Sequence, residues 1–301
     1  MKAVVVIAYG GVDKLEVREV PDVKAGPNEI RVRMAGASIN PIDWKLRSGA
    51  YHAMMPLTFP AILGRDASGV VVEIGFGVTA FKLGERVMGL VRGGYAEFVV
   101  ASTDAWTEVP AKMDLVDAGA LPLVLLTGAQ LVDEALGSHA GDVVLVTGAV
   151  GSVGRAAVFE AKARGAEVWA GVRRTQVRNA EKLGAEGVVA LDDEAEIGKL
   201  SQLDSIADTV GGETIRRLIV KVRPGGVIGS VVGEPIGAKE RGLVVRGLWA
   251  HTDSARLAEL AQAVADGALV IPIAKRFPLS QARDAQELAE NGAGGKVILM
   301  G

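Results

Sequence analysis

Residues Val143 to Gly154, Val-Val-Leu-Val-Thr-Gly-Ala-Val-Gly-Ser-Val-Gly, constrain the fold of this chain more than any other stretch. The unbroken apolar run reads as a strand buried on both faces, the kind found in parallel sheets. The glycines after it mark a tight turn into a helix. In such a turn glycine permits a sharp chain reversal, close approach of backbone to a pyrophosphate, and close packing of helix on strand. The free N–H groups and positive dipole at the helix start then face the anion. Read in the dinucleotide register, Ala149 takes the first glycine position, Gly151 the second and Gly154 the third. Gly148 lies one residue earlier, beside the turn. The alternative is a glycine-rich turn that binds nothing, and the alternating strands and helices around it favour the dinucleotide. The expected phosphate cradle is Gly148, Ala149, Val150, Gly151, Ser152, Val153 and Gly154.

The next expected strand, Ala166–Val172, decides which dinucleotide. A site for the unphosphorylated cofactor carries Asp or Glu about 20 residues past the turn, to bind the ribose 2′-hydroxyl. Here Arg173 stands nineteen residues past Gly154, followed by Arg174 and Arg178, and no acid lies between Val168 and Asn179. A carboxylate would repel a 2′-phosphate, whereas guanidinium forks bind one. NADPH is the expected cofactor, with a solvated basic helix start as the alternative.

At 301 residues the chain is long enough for two domains. The first third reads as Val-rich strands broken by Gly, Pro, Asn and Asp: 3–8, 15–20, 29–37, 68–74, 86–91 and 95–100. Glu29-Ile-Arg-Val-Arg-Met alternates polar and apolar, the pattern of a strand with one wet face. Asn40-Pro41 predicts a short helix through Arg47, with Asn as N-cap and Pro at the first position. From Val116 to Ala135 the spacing is helical, and beyond it strands and helices alternate. Strands are expected at 143–147, 166–172, 187–191, 205–210, 226–232 and 243–248, with helices at 152–164 and 176–183. A helix over 254–266, segments at 270–273 and 277–279, a helix at 281–290 and a strand at 296–300 close the chain. This is an α/β pattern with a doubly wound sheet, preceded by a barrel-like antiparallel region.

Composition excludes several classes. A net charge of −3, with no basic patch interleaved with aromatics, argues against nucleic acid. There are no cysteines, so disulfides and thiolate metal sites are impossible and a reducing cytoplasm suits the chain. The apolar run 3–8 reads as a strand rather than a signal peptide. The longest uncharged stretch, 118–132, contains Pro122 and falls short of the roughly 18 residues of a spanning helix. No membrane association is expected.

Several segments together are specific. They include Ser38-Ile-Asn-Pro-Ile-Asp-Trp-Lys45, Pro60-Ala-Ile-Leu-Gly-Arg-Asp-Ala-Ser-Gly69, Phe81-Lys-Leu-Gly-Glu-Arg-Val-Met-Gly89, Gly93-Gly-Tyr-Ala-Glu97, Asp208-Thr-Val-Gly-Gly212 and Gly294-Gly-Lys-Val297. In this order they resemble the zinc-independent medium-chain dehydrogenases/reductases of the quinone oxidoreductase and alkenal/enone reductase type. The resemblance covers essentially the whole chain. It implies a GroES-like, mainly β barrel domain of residues 1–118 and 268–301, and a Rossmann domain of residues 119–267. It also implies a homodimer formed through an edge strand, for which 242–248 is the candidate. Thr127 matches a position near the nicotinamide, and Val210 and Gly233 join the expected cofactor contacts.

In the zinc-dependent relatives a Cys ligand lies three residues before the residue matching Asp43, and a His ligand at the position of Arg65. Asn40 and Arg65 are poor ligands in those places, and His52, His139 and His251 are scattered, so no metal is expected. An Asp43–Arg65 ion pair is the expected replacement. Without a Lewis acid, reduction of an activated acceptor is easier than alcohol oxidation. The expected reaction is hydride transfer to a quinone or to the C=C of an α,β-unsaturated carbonyl. Candidate donors to the developing oxyanion are Asn40, Lys45 and Tyr51. Lysine at position 45 resembles the enone branch, but its alternative is a solvated helix face, and Tyr51 is equally a packed wall. Other readings are a non-catalytic NADPH- or nucleic-acid-binding relative, and an enoyl-reductase module of a polyketide-type assembly line. The second is disfavoured because the chain ends coincide with expected domain edges.

Overall fold

The structure, a computed structural model, describes residues 1–301. Eight strands come first: β1 (Lys2–Val6), β2 (Leu15–Glu19), β3 (Glu29–Ser38), β4 (Ala61–Ile62), β5 (Asp66–Ile74), β6 (Arg86–Leu90), β7 (Phe98–Ser102) and β8 (Trp106–Glu108). Six follow in the second region: β9 (Val143–Thr147), β10 (Glu167–Val172), β11 (Gly187–Ala190), β12 (Leu203–Asp208), β13 (Val222–Ser230) and β14 (Val244–Gly247). The last two are β15 (Ile273–Pro278) and β16 (Lys296–Met300).

The chain divides into two compact units, residues 1–123 with 252–301, and residues 124–251. In the first unit β2-β1-β4 form a small antiparallel sheet, and β15-β16-β3-β5-β6-β8 a larger one in which β7 also pairs with β3. β3 shows why its sequence alternates: Ile30, Val32 and Met34 are buried while Arg31 and Arg33 lie on the wetter face. β16 joins this sheet antiparallel to β3, with Ile298 opposite Ser38. That pairing brings Lys296 beside the start of the helix Pro41–Ser48.

In the second unit six parallel strands run in the order β11-β10-β9-β12-β13-β14. This is the doubly wound order, in which the chain reverses direction across the sheet beside β9. Val144, Leu145 and Val146 of β9 are fully buried, as an unbroken apolar run requires. The glycine turn at its end starts the helix Ser152–Ala163. The helical spacing over 116–135 resolves into a turn capped by Asp114, a helix Pro122–Gln130, and a widened turn Leu131–Leu136 ended by Gly137 at φ 65°.

The second change of unit comes near 251/252, earlier than the expected 267/268. The helix Ser254–Ala265, capped by Asp253, packs against β8 of the first unit. The segment 270–272 forms no strand; β15 starts at Ile273 and includes the expected 277–278. No helix is long and apolar enough to cross a membrane.

Candidate active site

Each unit carries one cluster of the residues singled out by sequence. In the second unit the turn residues form a single backbone structure. Gly148 has φ 64°, and a Cβ there would lie 2.6 Å from Thr209 Oγ1 and 3.0 Å from Val210 Cγ2. The task of the first glycine therefore falls to Gly148. Ala149, assigned that place by register, is fully buried, and its N–H donates to Gly171 O at 3.2 Å. A Cβ on Gly154 would lie 2.2 Å from Gly148 O, so the helix can approach β9 only with glycine there. Gly151 is different. It is the exposed N-cap, and a Cβ would meet only Gly148 O at 3.2 Å. Beside it Val150, Ser152 and Val153 are half-buried. The first helical N–H groups have no intrahelical acceptor. This cradle, open where a pyrophosphate would approach, fits a dinucleotide.

Sequence reading missed what braces the cradle. Asp208, fully buried at the end of β12, accepts from Thr147 Oγ1 (2.9 Å), Gly211 N (2.9 Å), Val210 N (3.2 Å) and Ser230 Oγ (3.1 Å). Thr209 returns a bond from its Oγ1 to Thr147 O at 2.7 Å. One carboxylate thus ties together the ends of β9, β12 and β13. Its signal in the sequence was an acid directly after the buried apolar pair Ile206-Ala207. Val210 is exposed beside Gly148, and Gly233, at φ 119°, faces open space after β13. Thr127 is buried within its helix.

Arg173, Arg174 and Arg178 are all exposed just past β10. Arg174 is not an uncommitted guanidinium. Its guanidinium is ion-paired with Asp193, and the Arg174 backbone N–H donates to Asp192 Oδ1 at 2.8 Å. These acids lie past β11, beyond the sequence window that read as free of acids. The pair is a surface contact, with 65% of the Arg174 side chain exposed, so it is weak and openable. The Arg173 backbone N–H donates to Gln176 Oε1 at 3.3 Å.

In the first unit the helix Pro41–Ser48 starts as predicted, with Pro at the first position and the Asp43 carboxylate accepting the Asn40 N–H at 2.8 Å. Asn40 itself is a correction. It is 1% exposed. Its Nδ2 donates to Asp66 Oδ2 at 2.8 Å and towards Ser38 O and Oγ at 3.3 and 3.2 Å. Its Oδ1 accepts from Lys296 Nζ at 2.6 Å. Both amide hydrogens are engaged away from solvent, so Asn40 does not serve as a donor to substrate.

The expected Asp43–Arg65 ion pair does not form either. Asp43 accepts from Tyr95 Oη (2.7 Å), Asn40 N (2.8 Å) and Gly64 N (3.3 Å). Asp66 accepts from Ser38 Oγ, Asn40 Nδ2 and Leu123 N (2.6 Å). Lys296 Nζ completes the cluster with a second bond to Ile39 O at 3.1 Å. Burial pushes the Asp43 carboxyl up to about 6, against hydrogen bonds from Tyr95 and the Asn40 backbone that pull it down. Burial likewise pulls the Lys296 ammonium below its usual range, while Asp66 and Asp43 oppose that shift. The Tyr95 phenol is pushed well above its ordinary range, chiefly by burial.

Lys45 and Tyr51 do come together. Both are half-buried, and Lys45 Nζ donates to Tyr51 Oη at 3.2 Å. The capped helix start fixes the base of the helix that carries Lys45. Zinc does not fit this cluster. Asn40 has its amide hydrogen-bonded on both sides, and the position of the second ligand carries the Arg65 cation.

Comparison with known proteins agrees with the two-unit architecture. The family model described as alcohol dehydrogenase GroES-like domain matches residues 26–111, and that described as zinc-binding dehydrogenase matches 183–299. The chain spans just over half the length of the first curated relatives it matches. One of these is the mitochondrial NAD(P)H oxidoreductase of Homo sapiens, 35% identical over 62% of this chain and 53% of its own. The quinone oxidoreductase of Pseudomonas aeruginosa is 30% identical over 97% of both chains. The structure of the quinone oxidoreductase from Coxiella burnetii superposes with a TM-score of 0.89 at 29% identity, covering 100% of this chain and 99% of that one. With a parallel sheet in the doubly wound order in one unit, a GroES-like match in the other, and a relative 30% identical over 97% of both chains, the chain belongs to the medium-chain dehydrogenase/reductase family, in its quinone oxidoreductase group.

Proposed function

We propose that the chain is a zinc-independent, NADPH-dependent reductase of quinones or of the C=C bond of α,β-unsaturated carbonyls. The observation that carries this reading is the pair formed by Lys45, on a helix anchored where the zinc relatives would place a metal ligand, and Tyr51, in the turn that follows that helix. Gly148 to Gly154 would hold the pyrophosphate, Thr127, Val210 and Gly233 the nicotinamide end, and Arg173 with Arg178 the 2′-phosphate. Arg174 joins them when its surface pair with Asp193 opens. When bound, the cofactor supplies a hydride to the β-carbon of an enone or to a quinone.

As negative charge gathers on the acceptor oxygen, the Tyr51 O–H donates a hydrogen bond to it. Lys45, bonded to the phenolic oxygen, strengthens that donor and adds positive charge at the point of need. A fixed donor of this kind contributes about 10²–10³-fold in kcat. The resulting enolate takes its proton from solvent. The cysteine-free chain suits a reducing cytoplasm, and β14, at the sheet edge with Val244 exposed, is the strand through which two copies would pair.

The test is NADPH oxidation across a panel of quinones, 2-alkenals and enones, with Lys45→Met and Tyr51→Phe beside the parent. Each variant should lower kcat/KM on the preferred acceptor at least tenfold. Unchanged values for both would falsify the assignment of this pair.

A further inference from the structure

Arg65 immediately precedes β5 and Arg92 lies two residues past β6. Those strands pair antiparallel with Asp66 opposite Leu90. Backbone bonds extend the pairing beyond the strands: Val91 N–H donates to Arg65 O at 2.9 Å, Gly94 N–H to Gly64 O at 3.2 Å, and Tyr95 N–H to Leu63 O at 3.0 Å. Arg65 and Arg92 therefore stand at the same end of one hairpin, next to Asp66, which binds Asn40. Close packing fixes this end, since a Cβ on Gly94 would lie 2.3 Å from Asp66 O.

Arg65 is half-buried, and its Nε is shut off from solvent with no hydrogen-bond partner. The nearby acids do not serve it. Asp43 and Asp66 have their oxygens on Tyr95, Asn40, Gly64, Ser38 and Leu123. Burial lowers the Arg65 pKa, and the largest charge effect on it comes from Arg92, a like charge, ahead of either aspartate. A partly desolvated cation that is repelled by another cation and leaves a donor unused is unfavourable unless an anion completes it. The planar fork of arginine matches a carboxylate with two parallel hydrogen bonds.

We propose that Arg65 and Arg92 form an anion-recognition site that selects acceptors bearing a carboxylate, so that the preferred substrates are enone or quinone acids. This rests on the reductase reading above. The same chemistry would also bind a phosphate of the cofactor, and the experiment separates the two sources.

The matched pair is 4-oxopent-2-enoate and 3-penten-2-one, which share the enone and differ in the carboxylate. The intact protein should favour the acid in kcat/KM. Arg65→Gln should lower kcat/KM for the acid about ten- to a hundredfold more than for the neutral enone, the scale of a lost charge-assisted pair, and chiefly through KM. Arg65→Lys should recover part of the loss, and Arg92→Gln should cost less because Arg92 is exposed. Binding of 4-oxopentanoate, which cannot be reduced at a C=C bond, should be measurable by calorimetry without cofactor and weaken by the same factor in Arg65→Gln. The variant should melt no lower than the parent, since it removes an unpartnered buried donor.

Equal 4-oxopentanoate binding by parent and variant would overturn the anion site even if 3-penten-2-one is reduced. An NADPH Kd that weakens in Arg65→Gln, with both enones equally affected, would assign the cation pair to a cofactor phosphate and overturn the substrate assignment. Binding of 4-oxopentanoate that depends on Arg65, with neither enone reduced, would support the site while removing the reductase reading.

Discussion

Replacing Lys296 with Met tests whether the buried cluster around Asn40 acts as one unit. Methionine keeps most of the apolar stem and removes the ammonium. Two buried acceptors, Asn40 Oδ1 and Ile39 O, then lose their donor, at about 1–3 kcal/mol each. Asp43 and Asp66 lose the cation whose field both of them feel, and breaking a buried charge cluster costs about 3–5 kcal/mol. These effects overlap, and the desolvation of Lys296 is recovered, so the expected loss is about 3–5 kcal/mol near pH 7.5. That is a large part of the roughly 5–15 kcal/mol that holds an ordinary domain folded. The loss should depend on pH. Asp43, pushed up to about 6 by burial, is mostly protonated at pH 5 and no longer needs the cation. There the substitution should cost less, by about 1–2 kcal/mol, the scale on which a neighbouring charge acts on a carboxyl. Urea unfolding of parent and variant at the two pH values gives both numbers. A loss below about 1 kcal/mol, or one equal at both pH values, would show that Lys296 does not neutralise this cluster.

The glycines of the second unit give a paired prediction. Gly151→Ala should leave the urea midpoint nearly unchanged, since its Cβ meets only Gly148 O at 3.2 Å, yet weaken NADPH at least tenfold by filling the approach to the pyrophosphate. Gly154→Ala, with a Cβ 2.2 Å from Gly148 O, should also lose about 1–3 kcal/mol of stability to overpacking. The double variant Arg173→Met with Arg178→Met should raise the Kd for NADPH about 10–100-fold and leave that for NADH within a factor of two, read by nucleotide fluorescence. Asp43 alone predicts a stability profile. Its folded pKa of about 6 lies above the ordinary 3.8, so the folded state binds more protons between those values. Its contribution is greatest below pH 4 and falls by about 3 kcal/mol as pH rises through 6. Asp43→Asn should flatten that part of the profile, and an unchanged slope would assign it to another group.

Periodic and local signals were legible because they depend on neighbours in sequence. The alternation of Glu29–Met34 became the two faces of β3, the apolar run at Val143 became a strand buried on both sides, and Asn40-Pro41 became a capped helix start. The glycine turn was legible as a whole but not in its register, because φ and close approach, not spacing, decide that Gly148 rather than Ala149 makes the turn. The errors share one cause, partners far along the chain. Asn40 read as a donor for substrate until Lys296, 256 residues away, and Asp66 enclosed it. Arg174 read as uncommitted until the turn after β11 placed Asp192 and Asp193 against it. Nothing in the spacing of these residues encodes such meetings; the strand order creates them.

The buried cluster also bears on why we propose the chemistry at Lys45 and Tyr51 rather than at Asn40. Asn40, Asp43, Asp66, Tyr95 and Lys296 form a closed set of donors and acceptors, and closure leaves none of them available to a substrate. Burial raises the pKa of Asp43 and lowers that of Lys296 despite their partners in the cluster, so the cluster stabilises little by itself. What it does is fix the start of one short helix. Lys45 follows one turn later on that helix, and its ammonium reaches Tyr51. If the cluster serves as a brace, loosening it must act through Lys45. Lys296→Met should then lower kcat for the preferred enone while changing KM little, because a displaced donor weakens the transition state more than the bound substrate. The same variant combined with Lys45→Met should lose no more in kcat than Lys45→Met alone. Losses that multiply in the double variant would mean that the cluster and the Lys45–Tyr51 pair act independently, and the brace would have to be abandoned.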